Sequence, residues 1–181
     1  ADQTMTLVDD SEQADGSVMT VHTDQAVRAE TTLEGIAQLR PAFKKDGVIT
    51  AGISSPLNAA ATSMILMSKE TALKKGIQPL ATIRSIGFAG VDPTIMGDGP
   101  VPATKKALEK AGLNAVDIDF WEINEAFCIV GLNCIKALGL DPDTVNVMGG
   151  GTAIGHPLGA TGLRLTGTLA RILEAKDGRY G

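Results

Sequence analysis

From residue 31 onward the apolar positions switch between a spacing near 3.6 and a spacing of 2, marking helices and strands in turn. Thr31-x-x-Glu34 has the pattern of a capping box, and Leu33, Ile36 and Ala37 share one helical face, with Pro41 ending that helix. Asp46-Gly47 makes a turn into a strand over 48–51, and a short buried strand follows at Met64 to Met67. Ser68 caps a short helix that Gly76 closes, with Glu70 and Lys74 spaced for an ion pair. The next strand runs over 80–88. Pro102 then begins a helix with Ala103, Ala107, Leu108 and Ala111 as its apolar stripe. Lys105, Lys106, Glu109 and Lys110 are its solvated face, and Gly112 is its stop. A strand at 118–123 delivers Asn124 and Glu125 to a helix over 126–138, apolar nearly all round and therefore expected to be buried, with Gly139 after it. A last strand is expected at 144–147. Residues 1–22 are polar and acidic, a solvated loop with one strand at 18–21, and His22 reads as a surface residue. Strands and helices in alternation place the chain in the α/β class.

Composition narrows the range of partners. A chain of 181 residues with 44% hydrophobic content can bury a sizeable core. Net charge −5 and pI near 5.0 leave no basic footprint for nucleic acid, and 3% aromatics leave few surfaces for stacking bases. No apolar run reaches the length of a membrane span. Two cysteines, Cys128 and Cys134, are too few for a disulfide framework; their spacing fits neither CxxC nor a metal site, and both read as buried small hydrophobes. A reducing compartment follows, the cytoplasm by default. A mitochondrial or peroxisomal home stays open, because the chain starts at Ala1 rather than Met.

The candidate chemistry concentrates in Met148 to Gly162, MGGGTAIGHPLGATG. Three glycines follow a strand, and His156 is followed by Pro157, a residue favoured in the first turn of a helix. His156 thus stands at a helix entrance, where an uncharged imidazole can serve as base or hydrogen-bond partner. Gly150, Gly151, Ala153 and Gly155 let backbone or substrate approach closely. A nucleotide-phosphate loop is the competing reading. Ile154 stands where the dinucleotide fingerprint needs its third glycine, and no Gly-Lys-Ser/Thr is present. Upstream, Asn124 at a strand–helix junction has a plain alternative as an N-cap.

Taken in order, Asn-Glu-Ala-Phe (124–127) and Gly-x-Ala-x-Gly-His-Pro-x-Gly-Ala-x-Gly (151–162) resemble the second half of the thiolase family. LRPAF (39–43), AGISSPLN (51–58) and MGDGPVPA (96–103) agree, and the resemblance runs from about Thr23 to Gly181. It implies a thiolase fold, two similar βαβαβαββ halves, of which this chain holds the C-terminal half: a layered α/β/α arrangement on a mixed five-stranded sheet, with the final strands missing. Residues 1–57 would be the end of the thiolase loop region and the coenzyme A-contacting loop, and 58–181 the C-terminal domain, incomplete at its end. NEAF is the phrase of ordinary thiolases; the sterol-carrier type carries a His-containing phrase there.

The resemblance further implies an acyl-CoA C-acyltransferase, thiolytic towards 3-ketoacyl-CoA or running the reverse Claisen condensation. Coenzyme A would be a co-substrate, with no permanently bound cofactor and no metal. His156 would be the base and an oxyanion donor, and Asn124 would hold the oxyanion water. Ser55 and Phe43 match residues on the surface that meets coenzyme A, and Met96 and Phe127 match walls of the acyl pocket. Glu125 is expected to satisfy loop backbone groups. The sequence departs from many relatives at Ile53, Ala59 and Ala60. Neither family cysteine is matched by Cys128 or Cys134, so the expectation is a fragment that is inactive and poorly soluble alone. Its partners would be the missing N-terminal half, acyl-CoA and CoA, in a homodimer or homotetramer, with no nucleic acid and no membrane span. The alternative is a non-catalytic acyl-CoA-binding or assembly subunit of the same fold.

Overall fold

Capping chemistry fixes most helix ends where the sequence places them. The computed structural model describes residues 10–12, 18–20, 24 and 26–181, in two units, 1–38 and 39–181. In the first unit, β1 (Asp10–Glu12) and β2 (Val18–Thr20) form an antiparallel pair, with Ser11 opposite Met19. The expected strand at 18–21 is therefore present up to residue 20. Its partner, the all-polar Asp-Ser-Glu, has no apolar alternation to announce it. His22 lies outside the described residues. Helix α1 (Leu33–Ala37) is capped by Thr32, whose hydroxyl accepts from the Gly35 amide at 3.0 Å, one residue later than the capping-box pattern indicates. Thr31 instead donates to the Arg28 carbonyl, and the helix ends at Gln38, before Pro41 is reached.

In the second unit a turn at Lys44–Gly47 folds 41–50 back on itself, with the Ala42 amide donating to Ile49 and a bridge between Pro41 and Thr50. Helix α2 (Lys69–Lys74) follows the sequence closely. Ser68 accepts from the Thr71 amide at 3.2 Å, Lys74 and Glu70 pair at 2.7 Å, and Gly76 takes the left-handed conformation at φ 65°. Helix α3 (Pro100–Ala111) starts two residues before Pro102 and stops at left-handed Gly112. Helix α4 (Cys128–Leu138) stops at left-handed Gly139. The short α5 (Gly151–Ile154) and the long α6 (Leu158–Lys176) follow.

The core joins Val101 of α3, Ile123, Val130 and Cys134 of α4, and Leu140, with Trp121, Phe127 and Val145 packed against them. α4 is not buried all round as its composition predicts. Only Val130, Gly131 and Cys134 are buried, and Leu132 is 61% exposed. Nearly uniform apolarity says that a helix has two faces to cover; α3 and the Pro93–Asp98 turn cover one of them.

The expected strands are where sequence and structure part. Residues 64–67 are mostly exposed and outside any ladder. Residues 80–83 are exposed, and 84–91 keep a strand's period of two: Ser85, Gly87, Ala89 and Val91 are half-buried, while Arg84, Ile86, Phe88 and Gly90 face out. This run lies along α3. Ser85 donates to the Ala107 carbonyl at 2.7 Å, and a Cβ on Gly87 would overlap the Ala103 carbonyl. Lys110 and Lys106 reach over from α3 to the carbonyls of Ile86 and Phe88. No backbone-to-backbone hydrogen bond ties it to another described strand. Strand pairing is a non-local property, which a local alternation of side chains does not determine.

The segments 118–123 and 144–147 do meet, in parallel. The Trp121 amide donates to Thr144 at 2.9 Å and the Asn146 amide to Trp121 at 2.8 Å. The ladder then stops, because Asn146 turns into the left-handed region at φ 49°. Its side-chain amide supplies the next rung: Ile123 donates its N–H to Oδ1 at 2.8 Å, and Nδ2 donates back to the Ile123 carbonyl at 2.9 Å. At the far end, Asp119 accepts from the amides of Arg179 and Tyr180, and these bonds hold its carboxyl below the usual range, Tyr180 contributing most.

Candidate functional site

The segment ending at Ile123 presents Asn124 and Glu125 to the glycine loop. Glu125 is structural, as expected. One carboxylate oxygen accepts from Asn146 Nδ2 at 2.7 Å and the other from the Thr152 amide at 3.2 Å. That carboxylate lies flat against the Gly150 Cα, where a Cβ would overlap it. The loop is therefore folded around Glu125, and Gly150 is needed for that close approach.

His156 is positioned from both sides of its ring. Its Nδ1 lies 2.8 Å from Thr161 Oγ1, and Thr161 is buried in the first turns of α6. The Thr161 hydroxyl also lies 3.0 Å from the Pro157 carbonyl, to which it can donate while it accepts from the ring. Nδ1 is then the N–H, and Nε2 carries the lone pair. Nε2 faces Asn124 Nδ2 at 3.3 Å, a donor meeting an acceptor. Asn124 Oδ1 is buried without a partner among the described residues. Asn124 is thus not the N-cap of α4, whose capping residue is Phe127, with no side-chain cap. On the other flank, the His156 amide donates to Pro56 at 3.2 Å and Asn58 Nδ2 donates to Ile154 at 3.1 Å, so the 54–58 loop clasps the glycine loop.

Ser55 belongs to that clasp. Its amide and its hydroxyl both donate to the Ala126 carbonyl, at 3.1 and 3.2 Å, and Ser54 bridges Phe127. Phe43 meets Phe127 edge-on, ring centres 5.6 Å apart at 87°. Phe43, Met96 and Phe127 line one open cleft of about 1070 Å³, along with Ile95, Ile129 and Leu132. Ser55, Asn124 and His156 do not line it. The expected residues therefore form two groups, a polar pair and an apolar cleft, joined through the 124–127 backbone.

The cysteines differ from each other. Cys134 is buried at 1% exposure, and burial, with Asp98 nearby, pushes its thiol up. Cys128 is only half-buried, a correction to the expectation, because it opens α4 at the loop and its Sγ lies 3.4 Å from Thr152 Oγ1. Neither thiol is within hydrogen-bonding distance of His156. Among the described residues no cluster of His, Cys, Asp and Glu could hold a metal ion, and no helix is long and apolar enough to cross a membrane.

Beneath the pair lies a residue the motifs did not indicate. The Glu122 side chain is 1% exposed, and burial pushes its carboxyl from 4.5 up to about 7, against the pull of Arg164 and with a push from Glu125. An acid whose folded value is raised binds a proton in the folded state that the unfolded state has already lost. Stability from this group is complete below pH 4.5 and is lost as pH rises through about 7, by about 3 kcal/mol at most. Urea midpoints should therefore fall between pH 4.5 and 7 by more in the natural chain than in a Glu122→Gln chain. Equal slopes in the two would show that Glu122 ionises alike folded and unfolded.

An α/β chain with a histidine held at a helix start, facing an asparagine across a glycine loop, has the parts of a base-and-donor site rather than those of a nucleotide cradle. Comparison with known proteins agrees. Residues 77–181 match the family model described as thiolase, C-terminal domain, and residues 8–70 that of thiolase, N-terminal domain. The chain belongs to the thiolase family. It is 52% identical over 170 residues to a 3-ketoacyl-CoA thiolase of Marinobacter nauticus, covering 92% of this chain and 44% of that protein. A 3-ketoacyl-CoA thiolase of Hahella chejuensis is 52% identical over 171 residues, with the same coverage. Among solved structures, a Bacillus anthracis acetyl-CoA acetyltransferase superposes with TM-score 0.81 at 47% identity, over 89% of this chain and 41% of that one. Human mitochondrial 3-ketoacyl-CoA thiolase in complex with CoA superposes with TM-score 0.77 at 40% identity, over 90% and 41%. The chain thus spans less than half the length of these relatives, and its fold is the corresponding part of a thiolase fold.

Proposed function

We propose that these residues serve an acyl-CoA C-acyltransferase that cleaves 3-ketoacyl-CoA with coenzyme A, or condenses acyl-CoA in reverse. The observation that carries this reading is the His156 ring, fixed by Thr161 with its Nε2 lone pair presented beside Asn124. In the proposed reaction Nε2 takes the proton of a cysteine thiol. The thiolate attacks the 3-keto carbon, and the oxygen becomes an oxyanion. The bond between C2 and C3 then breaks, acetyl-CoA leaves as a carbanion and is protonated, and the acyl-cysteine passes its acyl group to the coenzyme A thiol. Once protonated, Nε2 is a donor aimed at the developing oxyanion. Asn124, whose Oδ1 is an unmatched acceptor, would orient the water that donates beside it.

The nucleophile in this reading comes from outside the 181 residues, because Cys134 is buried in the core and Cys128 is turned to Thr152. The apolar cleft of Phe43, Met96 and Phe127 is proposed to take the pantetheine and acyl parts of the substrate, with Ser55 shaping its edge through Ala126. Residues 1–57 and 58–181 are proposed as the loop region and the C-terminal domain, and the working molecule as an oligomer that includes the N-terminal half. The test is the intact mass of the native protein before and after a 3-ketoacyl-CoA is added. A species larger than 18.7 kDa that gains an acyl group, and loses it to coenzyme A, is the expected result. Thiolysis by a polypeptide that ends at Gly181 would overturn the external nucleophile. A protein that binds acyl-CoA without forming the adduct would be a binding subunit.

A further inference from the structure

Thr161 and Arg164 are three residues apart on α6 and so share one face of it. Thr161 holds the His156 ring. Arg164 reaches Glu122, two residues before Asn124, with Nη1 at 3.6 Å from the carboxylate. Both Glu122 oxygens and both terminal nitrogens of Arg164 are buried and make no hydrogen bond within the described residues. An acid and a guanidinium have thus been drawn out of water with no hydrogen bond among the described residues to compensate them, an arrangement that costs stability relative to an apolar pair of the same size. Packing does not ask for it. The segment that carries Asn124 does need an anchor along α6: its ladder ends after Trp121, and the Ile123 peptide is held by the Asn146 side chain alone. Glu125, the other charge acting on Glu122, is itself committed to Asn146 and Thr152.

We propose that Glu122 and Arg164 are a positioning pair that sets the separation of Asn124 from His156, so that one face of α6 places both members of the polar pair. The inference deepens the function proposed above and rests on Asn124 and His156 acting together there. Neither Glu122 nor Arg164 touches substrate in this reading; they act through Asn124.

The experiment reads the imidazole directly, by its ring nitrogen signals in the full chain across a pH series. A His156→Gln chain shows by difference which ring signals belong to His156, whatever other histidines the native protein carries. The natural pair should show a protonated Nδ1 and a bare Nε2. In Glu122→Gln and in Arg164→Gln the two nitrogen signals should move towards each other as tautomers mix. Either single change strands a buried charge, so Glu122→Leu combined with Arg164→Met removes both charges and protects the fold, and Arg164→Lys is the mildest change of all. The same ring shift is expected in each folded variant. Ring signals that superpose on the natural chain's, in any folded variant lacking the Glu122 or Arg164 charge, overturn the proposal. Thiolysis is scored separately in the native enzyme. A ring shift without thiolysis leaves the positioning pair standing and sinks the enzymatic reading, while thiolysis without a ring shift does the reverse.

Discussion

Replacing His156 by alanine in the native protein should, on the proposed function, slow thiolysis by about 1,000-fold or more while leaving KM within a few-fold. Two losses combine. No base remains to take the thiol proton, and no Nε2 donor remains for the oxyanion that follows. Asn124→Ala should cost less, about 100-fold, since on this reading it removes only the group that orients a water. Thr161→Val tests the tautomer argument, for it keeps the ring but deletes the acceptor that holds the proton on Nδ1. It should lower kcat between these limits and leave the fold intact. Stopped-flow acylation with a 3-ketoacyl-CoA separates the steps, because the base acts before the acyl-enzyme forms. A loss of less than about tenfold in His156→Ala would remove histidine from the mechanism.

Gly155→Ala should destabilise the protein by about 4 kcal/mol, the largest effect expected of any single methyl addition in the loop. Gly155 sits at φ 95° and ψ 169°, a region of backbone space that essentially only glycine enters. A Cβ there would also overlap the Asn58 side-chain amide, which cannot withdraw without losing its bond to Ile154. The neighbouring clasp between His156 and Pro56 would be pushed as well, so activity should fall with stability. Gly159→Ala is the control. Nothing lies within 4 Å of a Cβ built there, and it stands inside α6, so it should be neutral or stabilise by up to about 1 kcal/mol. Urea denaturation of the two variants compares them directly. A Gly155→Ala chain within about 1 kcal/mol of the natural one would show a loop free to rearrange.

The residues legible in the sequence were those whose meaning is local or carried by a motif. Ser68, Gly76, Gly112 and Gly139 each announce a helix end by their own conformational preference, and each is found there. Asn124 and His156 stood out because one opens the first family phrase and the other sits inside the second, and the structure brings them to 3.3 Å. Thr161 was visible only as one more letter of the second phrase; its task depends on which atom its proton faces. Asn146 was hidden for a different reason. An asparagine at the end of a strand reads as a turn residue. Nothing nearby says that its amide pairs with a peptide 23 positions back. Glu122 and Arg164 are separated further still, and a carboxylate in an apolar strand reads as a residue facing solvent until the opposite helix is in place. Strand pairing failed to follow from alternation for the same reason: of the expected strand at 80–88, residues 84–88 keep the period of two, but the neighbour of that run is a property of the whole fold.

The side-chain rung at Asn146 also sets an order of events during folding. Between Ile123 and Asn146 lie all of α4 and the Pro142–Thr144 turn. Residues 123–125 have no ladder of their own to nucleate on, so their conformation is fixed only when that intervening loop closes. Closing it means forming α4, stopping it at Gly139, and bringing Val145 beside Trp121. The polar pair is therefore assembled late, after the helix that separates its supports, and a chain with α4 unformed carries Asn124 and Glu125 as ordinary coil. Slow steps in refolding should be sought at this closure, because non-local contacts are the ones that delay a fold.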